Sequence, residues 1–111
     1  FHELGIPMMA GTDCGCTNTP FDSMVDELLT YETAGIPLPE VVAMATCGNA
    51  RLLQMGKVGR VKPGYRADLV ILSANPLESL EALREPLRVI KSGRQVYQKA
   101  AVAPALQEGR D

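Results

Sequence analysis

The stretch Ile6-Pro7-Met8-Met9-Ala10-Gly11-Thr12-Asp13 decides the first half of the fold. It is a short apolar run that stops at a glycine and two polar residues, the pattern of a buried strand entering a polar loop. In α/β folds, polar residues just past the carboxyl end of a buried parallel strand carry the chemistry. Asp13 holds that place, and the loop continues through Gly15, Asn18 and Pro20, residues that interrupt regular structure.

Beyond the loop the apolar spacing becomes helical. A helix is predicted to begin at Asp22 or Ser23, to carry Met24, Val25, Leu28 and Leu29 on one face, and to stop at Gly35. A second opens at Pro39, in the first turn where proline is favoured, and runs through Val41, Val42, Met44 and Ala45. Over residues 46–49 the pattern weakens, because Gly48 costs about 1 kcal/mol in a helix interior. A break is expected there, then a short third helix with Ala50, Leu52 and Leu53.

From Gly56 onward the period shortens. Val58, Val61, a Pro63-Gly64 turn and the apolar run at residues 69–72 read as strands with tight connections. Asn75-Pro76 marks a turn, residues 77–83 one or two helical turns, and residues 89–97 a hairpin folded at Ser92-Gly93. The tail from Ala100 is poorly patterned and expected to fray.

With 111 residues, 46% hydrophobic and 22% charged, the composition is that of a folded domain. The net charge of -2 conceals an asymmetry: residues 1–55 carry seven acidic side chains against Arg51 alone, and residues 56–111 carry ten basic against six acidic. A change of architecture near Gly56 is the reading of that shift. No apolar run approaches the roughly 20 residues that span a bilayer, so a membrane-spanning helix is excluded. The chain opens Phe1-His2-Glu3 without a signal-peptide pattern, and the expected start of the gene product lies upstream. Three cysteines are an odd count, and Cys14 and Cys16 are too close for an easy mutual disulfide, which points to a reducing, cytoplasmic setting.

The order of these signals is more specific than any one of them. Ala10-Gly11-Thr12-Asp13, a helix, Ala45-Thr46 and Asn49-Ala50-Arg51-Leu52-Leu53 are followed by Gly59, Val61, Pro63-Gly64, Ala67-Asp68-Leu69-Val70 and Val89-Ile90-Lys91-Ser92-Gly93-Arg94. The set resembles the C-terminal part of metal-dependent hydrolases of the amidohydrolase superfamily, in the branch with imidazolonepropionase-like and Xaa-Pro dipeptidase-like members. The resemblance implies an α/β fold: residues 1–55 are the last strand and helices of a TIM-like (β/α)8 barrel, and residues 56–98 are the C-terminal strands of a small β-sandwich domain, with 99–111 a tail. It further implies a divalent metal, most simply zinc, at the barrel's C-terminal end, and a small-molecule or peptide substrate cut at a C–N bond. Asp13 matches the family's aspartate at the end of the eighth strand, which contacts the metal and takes a proton from the water that the ion activates. The family's paired histidines, bridging lysine and two later histidines have no counterpart here and would lie upstream of Phe1. The chain is therefore expected to be a fragment, inactive alone, that oligomerises or associates with the missing upstream segment.

Each residue also has a plainer reading. A hydrolytic metal site needs several ligands and an open position for water, with a nearby carboxylate to take up the proton. Asp13 suits that task, whereas an arbitrary aspartate after a glycine is more often a loop cap. His2 is the only histidine, so no two-histidine ligand set exists within the chain, and a surface helix position is expected for it. Cys14-Gly15-Cys16 could chelate a soft metal, but two thiolates without further ligands make a poor closed site and read better as small loop residues. Cys47 fits a small buried position, Asp68 a hydrogen-bonded turn, and Arg51 either a partner for the acidic half or a solvated helix charge. The basic segment GKVGRVKPGYRADLVIL could belong to a nucleic-acid-binding module. Only Tyr65 and Tyr97 offer aromatic faces in that half, however, and a solvated basic face is preferred, with no nucleic-acid partner.

Overall fold

The computed structural model describes residues 2–100. Helix α1 (Met24–Thr33) follows Ser23, with Leu28 buried and Val25, Leu29 and Tyr31 half-buried on the same face. It ends in a Schellman motif, with Gly35 N–H donating to Glu32 O at 3.0 Å and Ile36 N–H to Tyr31 O at 3.2 Å. Ile36 is thereby turned into the core. Helix α2 (Leu38–Ala43) begins one residue before Pro39 and buries Val41.

The expected break at residues 46–49 is not a break. The helix widens into one π turn (Met44–Gly48) and continues as α3 (Asn49–Leu52). The mark of the change is Asn49 N–H donating to Met44 O, five residues back. Two glycines permit it by close approach. A Cβ on Gly48 would lie 2.8 Å from Ala43 O, and one on Gly59, which sits at φ +87, would lie 2.9 Å from Thr46 O. Gly48 therefore costs helix propensity but allows the wider turn, a trade that propensity alone does not reveal.

Residues 6–13 form no strand ladder among the described residues. A parallel strand needs neighbours for its backbone groups, and here the groups of Ala10 are taken by a side chain instead, as described below. Strands at Val58 and Val61 are likewise not found: Lys57 and Gly59 adopt positive φ, Val61 is 87% exposed, and Arg66 N–H closes this segment on Lys57 O at 2.9 Å.

The β half contains an antiparallel sheet of three strands in the order β1 (Leu69–Ile71), β2 (Arg88–Lys91), β3 (Arg94–Gln98), with Val70 opposite Val89 and Lys91 opposite Arg94. Ser92 (φ 50) and Gly93 (φ 81) make the predicted hairpin turn, both in the left-handed region that a tight two-residue connection requires. A bulge follows, because Ile90 faces Gln95 while Val89 faces Tyr97. Between β1 and β2 the chain forms a 3-10 turn (Leu80–Leu83), after Leu77 N–H bonds Asn75 Oδ1 at 2.9 Å in the predicted Asn75-Pro76 turn.

One apolar core gathers Ala10, Leu28, Ile36, Val41, Met44 and Leu80. Arg84 reinforces the seam between the 3-10 turn and α1 by pairing with Asp26 at 2.7 Å. Large apolar side chains stay outside, among them Leu4, Ile6, Met9 and Phe21. No helix among the described residues is long and apolar enough to cross a membrane.

Candidate active-site loop

Asp13 sits at φ +52, in the left-handed region that only glycine, asparagine and aspartate enter readily. Its side chain is exposed, and Oδ2 accepts a hydrogen bond from Cys16 Sγ at 3.4 Å. Around it the loop closes on itself: Cys14 N–H donates to Thr12 Oγ1 at 3.1 Å, Gly15 N–H to Thr19 O at 2.8 Å and Thr19 N–H to Cys16 O at 3.0 Å. The structure thus brings Cys16 to Asp13 as a neutral donor to the carboxylate. The three cysteines are free, with Cys14 and Cys16 exposed and Cys47 half-buried. Among the described residues no group of three or more His, Cys, Asp or Glu side chains converges where an ion could sit.

What fixes this loop is a pair of contacts on the residues just before it. Asn49 Nδ2 donates to Ala10 O at 2.8 Å, and Ala10 N–H donates to Asn49 Oδ1 at 2.9 Å. The amide orientation follows from these partners, since a carbonyl can only accept and an N–H can only donate. One residue further on, Gly11 N–H reaches Tyr31 Oη at 3.4 Å. The single hydroxyl proton of Tyr31 goes to Glu27 Oε2, which leaves the oxygen to accept from Gly11.

Burial, and then the Glu27 carboxylate, push the Tyr31 phenol above its usual 10.0. The folded chain holds this proton more tightly than the unfolded chain, so the stabilisation is complete below pH 10.0 and is lost as pH rises through the higher folded value. In an alkaline titration followed by circular dichroism, stability should fall more steeply with pH in the parent than in Tyr31→Phe. Equal slopes would assign the alkaline loss to other groups.

Asp68 Oδ1 accepts from Ser92 N–H at 2.8 Å while Oδ2 pairs with Arg66 Nε at 3.1 Å, so it pins the hairpin turn beside the start of β1, as a turn aspartate should. Arg51 is exposed in α3. His2 begins a 3-10 turn (His2–Leu4), and its side chain lies outside the described residues, as does the tail at residues 101–111. Asn49 enters the sequence pattern only as the first residue of Asn49-Ala50-Arg51-Leu52-Leu53, with no role of its own, and Tyr31 does not enter it. A signal existed for both: Tyr31 extends the Met24, Leu28 stripe by one more helical step, and Asn49 is a polar residue directly before buried Ala50.

The Amidohydrolase family model matches residues 1–96, and the chain belongs to that family. It is 33% identical over 109 residues to the imidazolonepropionase of Anaeromyxobacter sp. (strain K), covering 91% of this chain and 25% of the relative. It is 34% identical over 80 residues to the 5-methylthioadenosine/S-adenosylhomocysteine deaminase of Syntrophomonas wolfei subsp. wolfei, covering 64% of this chain and 19% of the relative. Among solved structures, a Xaa-Pro dipeptidase with bound methionine in its active site aligns with TM-score 0.78 at 29% identity, over 88% of this chain and 24% of that one. A candidate prolidase from Bifidobacterium longum aligns with TM-score 0.81 at 38% identity, over 87% and 24%. The chain therefore spans about a quarter or less of the proteins it matches.

Proposed function

We propose that this chain supplies the last βα unit of a (β/α)8 barrel, in residues 1–55, and the C-terminal strands of a small β-sandwich domain, in residues 56–98, to a metal-dependent hydrolase of C–N bonds. The carrying observation is the carboxylate of Asp13, presented at positive φ on a loop held by two helices, in a chain of the amidohydrolase family. Matches to a deaminase and to a dipeptidase support C–N chemistry, since both names describe cleavage of such a bond.

Asp13 fits a divalent ion as one hard oxygen donor, with zinc the preferred ion, and other parts of the complete protein supply the remaining ligands. When bound, the ion lowers the pKa of a water toward neutrality. The chain's own part is proton handling. Asp13 takes the proton from the attacking water and returns it to the leaving nitrogen, while Cys16 holds Oδ2 as a neutral hydrogen-bond donor. Exposed Leu4, Ile6 and Met9 leave apolar surface for the rest of the barrel to cover, which makes the isolated chain prone to associate. The substrate is a small molecule or peptide, and the setting is cytoplasmic.

Metal removal tests the reading. The complete enzyme should lose turnover on dialysis against a chelator and regain it with zinc, whereas the 111-residue chain alone should hold no stoichiometric zinc after dialysis. Turnover that survives full metal removal would sink the proposal. One tight zinc per isolated chain, lost in Cys14→Ser and Cys16→Ser, would instead make the loop a thiolate site.

A further inference from the structure

We infer that Asn49 is a positioning residue for Asp13, and that the π turn at Met44–Gly48 exists to aim it; this rests on the role proposed for Asp13. Ala10 is buried in the core, and both of its backbone groups are satisfied by one side chain 39 residues away, at 2.9 and 2.8 Å. A two-point amide contact of this kind fixes rotation as well as distance, as a neighbouring strand would. It acts three residues before Asp13, with Gly11 restrained by Tyr31 in between.

The π turn explains how α3 delivers that amide. Each π turn inserts one extra residue, which rotates everything after it by roughly 100° about the helix axis relative to an unbroken α-helix. Asn49 is the first residue after the insertion, and its own N–H makes the five-residue bond to Met44 O. Without the insertion Asn49 would leave the face that meets Ala10. Gly48 is the residue the insertion requires, because any Cβ there would collide with Ala43 O. Thr46 Oγ1, inside the turn, donates to Val42 O at 2.8 Å and so helps satisfy a carbonyl within the altered register.

The test compares Asn49→Ala, Asn49→Asp and Asp13→Asn in the complete enzyme, with hydrogen exchange by mass spectrometry on the metal-free protein and steady-state kinetics on the loaded one. Asn49→Ala should speed exchange in the peptide carrying Ala10 while α1 stays protected. It should lower kcat by about 100-fold at nearly constant KM, the loss expected from a displacement of about 1 Å in a reacting group. Asn49→Asp keeps the acceptor for Ala10 N–H and loses the donor, so it preserves part of the exchange protection and serves if the alanine variant folds poorly. Parental kcat in an Asn49 variant whose Ala10 peptide exchanges faster would overturn the positioning role, and so would unchanged exchange at Ala10. If Asp13→Asn itself keeps full turnover, the catalytic reading of Asp13 fails, an outcome separate from either of these.

Discussion

Asp13→Asn in the complete enzyme should remove most turnover, by about 100- to 10,000-fold in kcat, and leave the fold intact. Asparagine keeps the shape of the side chain and an oxygen able to accept from Cys16 Sγ, which bonds Oδ2 in the parent at 3.4 Å. It cannot take a proton. The positive φ of 52 at this position does not complicate the exchange, since asparagine enters the left-handed region as readily as aspartate. The loss therefore belongs to proton transfer, provided that metal content and melting temperature match the parent. A change confined to KM would indicate uniform binding of substrate, and near-normal kcat at matched metal content would leave Asp13 as a loop cap.

The legible parts of this chain are those where one local rule dominates. The α1 helix follows from the spacing of Met24, Val25, Leu28 and Leu29 and from Gly35 at its end, and the β2–β3 hairpin follows from Ser92-Gly93 between two apolar stretches. Asp13 ends an apolar run, but the role proposed for it comes from the resemblance carried by the whole pattern and not from that local rule. Elements that depend on partners distant in sequence were not legible. Residues 6–13 look like a strand, yet no ladder holds them among the described residues, because a strand is a property of two segments and not of one. At Gly48 propensity and packing point in opposite directions, and close approach to Ala43 O and the fit of Asn49 to Ala10 decide for a wider turn that no period in the sequence announces. Asn49 belongs to the pattern that carries the family resemblance, but its partner is visible only once Ala10 is placed beside it.

The largest stability effect should come from Leu80→Ala. Leu80 is 1% exposed and belongs to the cluster with Leu28, Ile36 and Val41, although it lies on a 3-10 turn well past the charge shift near Gly56. Removing its side chain takes away transfer free energy and leaves a cavity where the turn packs on α1, a loss of roughly 2–5 kcal/mol for a buried leucine. That is a large share of the roughly 5–15 kcal/mol that separates folded from unfolded in ordinary domains. Val61→Ala is the natural control, since Val61 is 87% exposed and should change stability by no more than about 0.5 kcal/mol. Because Leu80 sits in the same core as Leu28 and Val41, the helical signal should move to lower denaturant in Leu80→Ala. Leu80→Val, with less volume removed, keeps the measurement possible if the alanine variant does not fold. An unmoved helical signal would mean that Leu80 stabilises only the turn on which it sits.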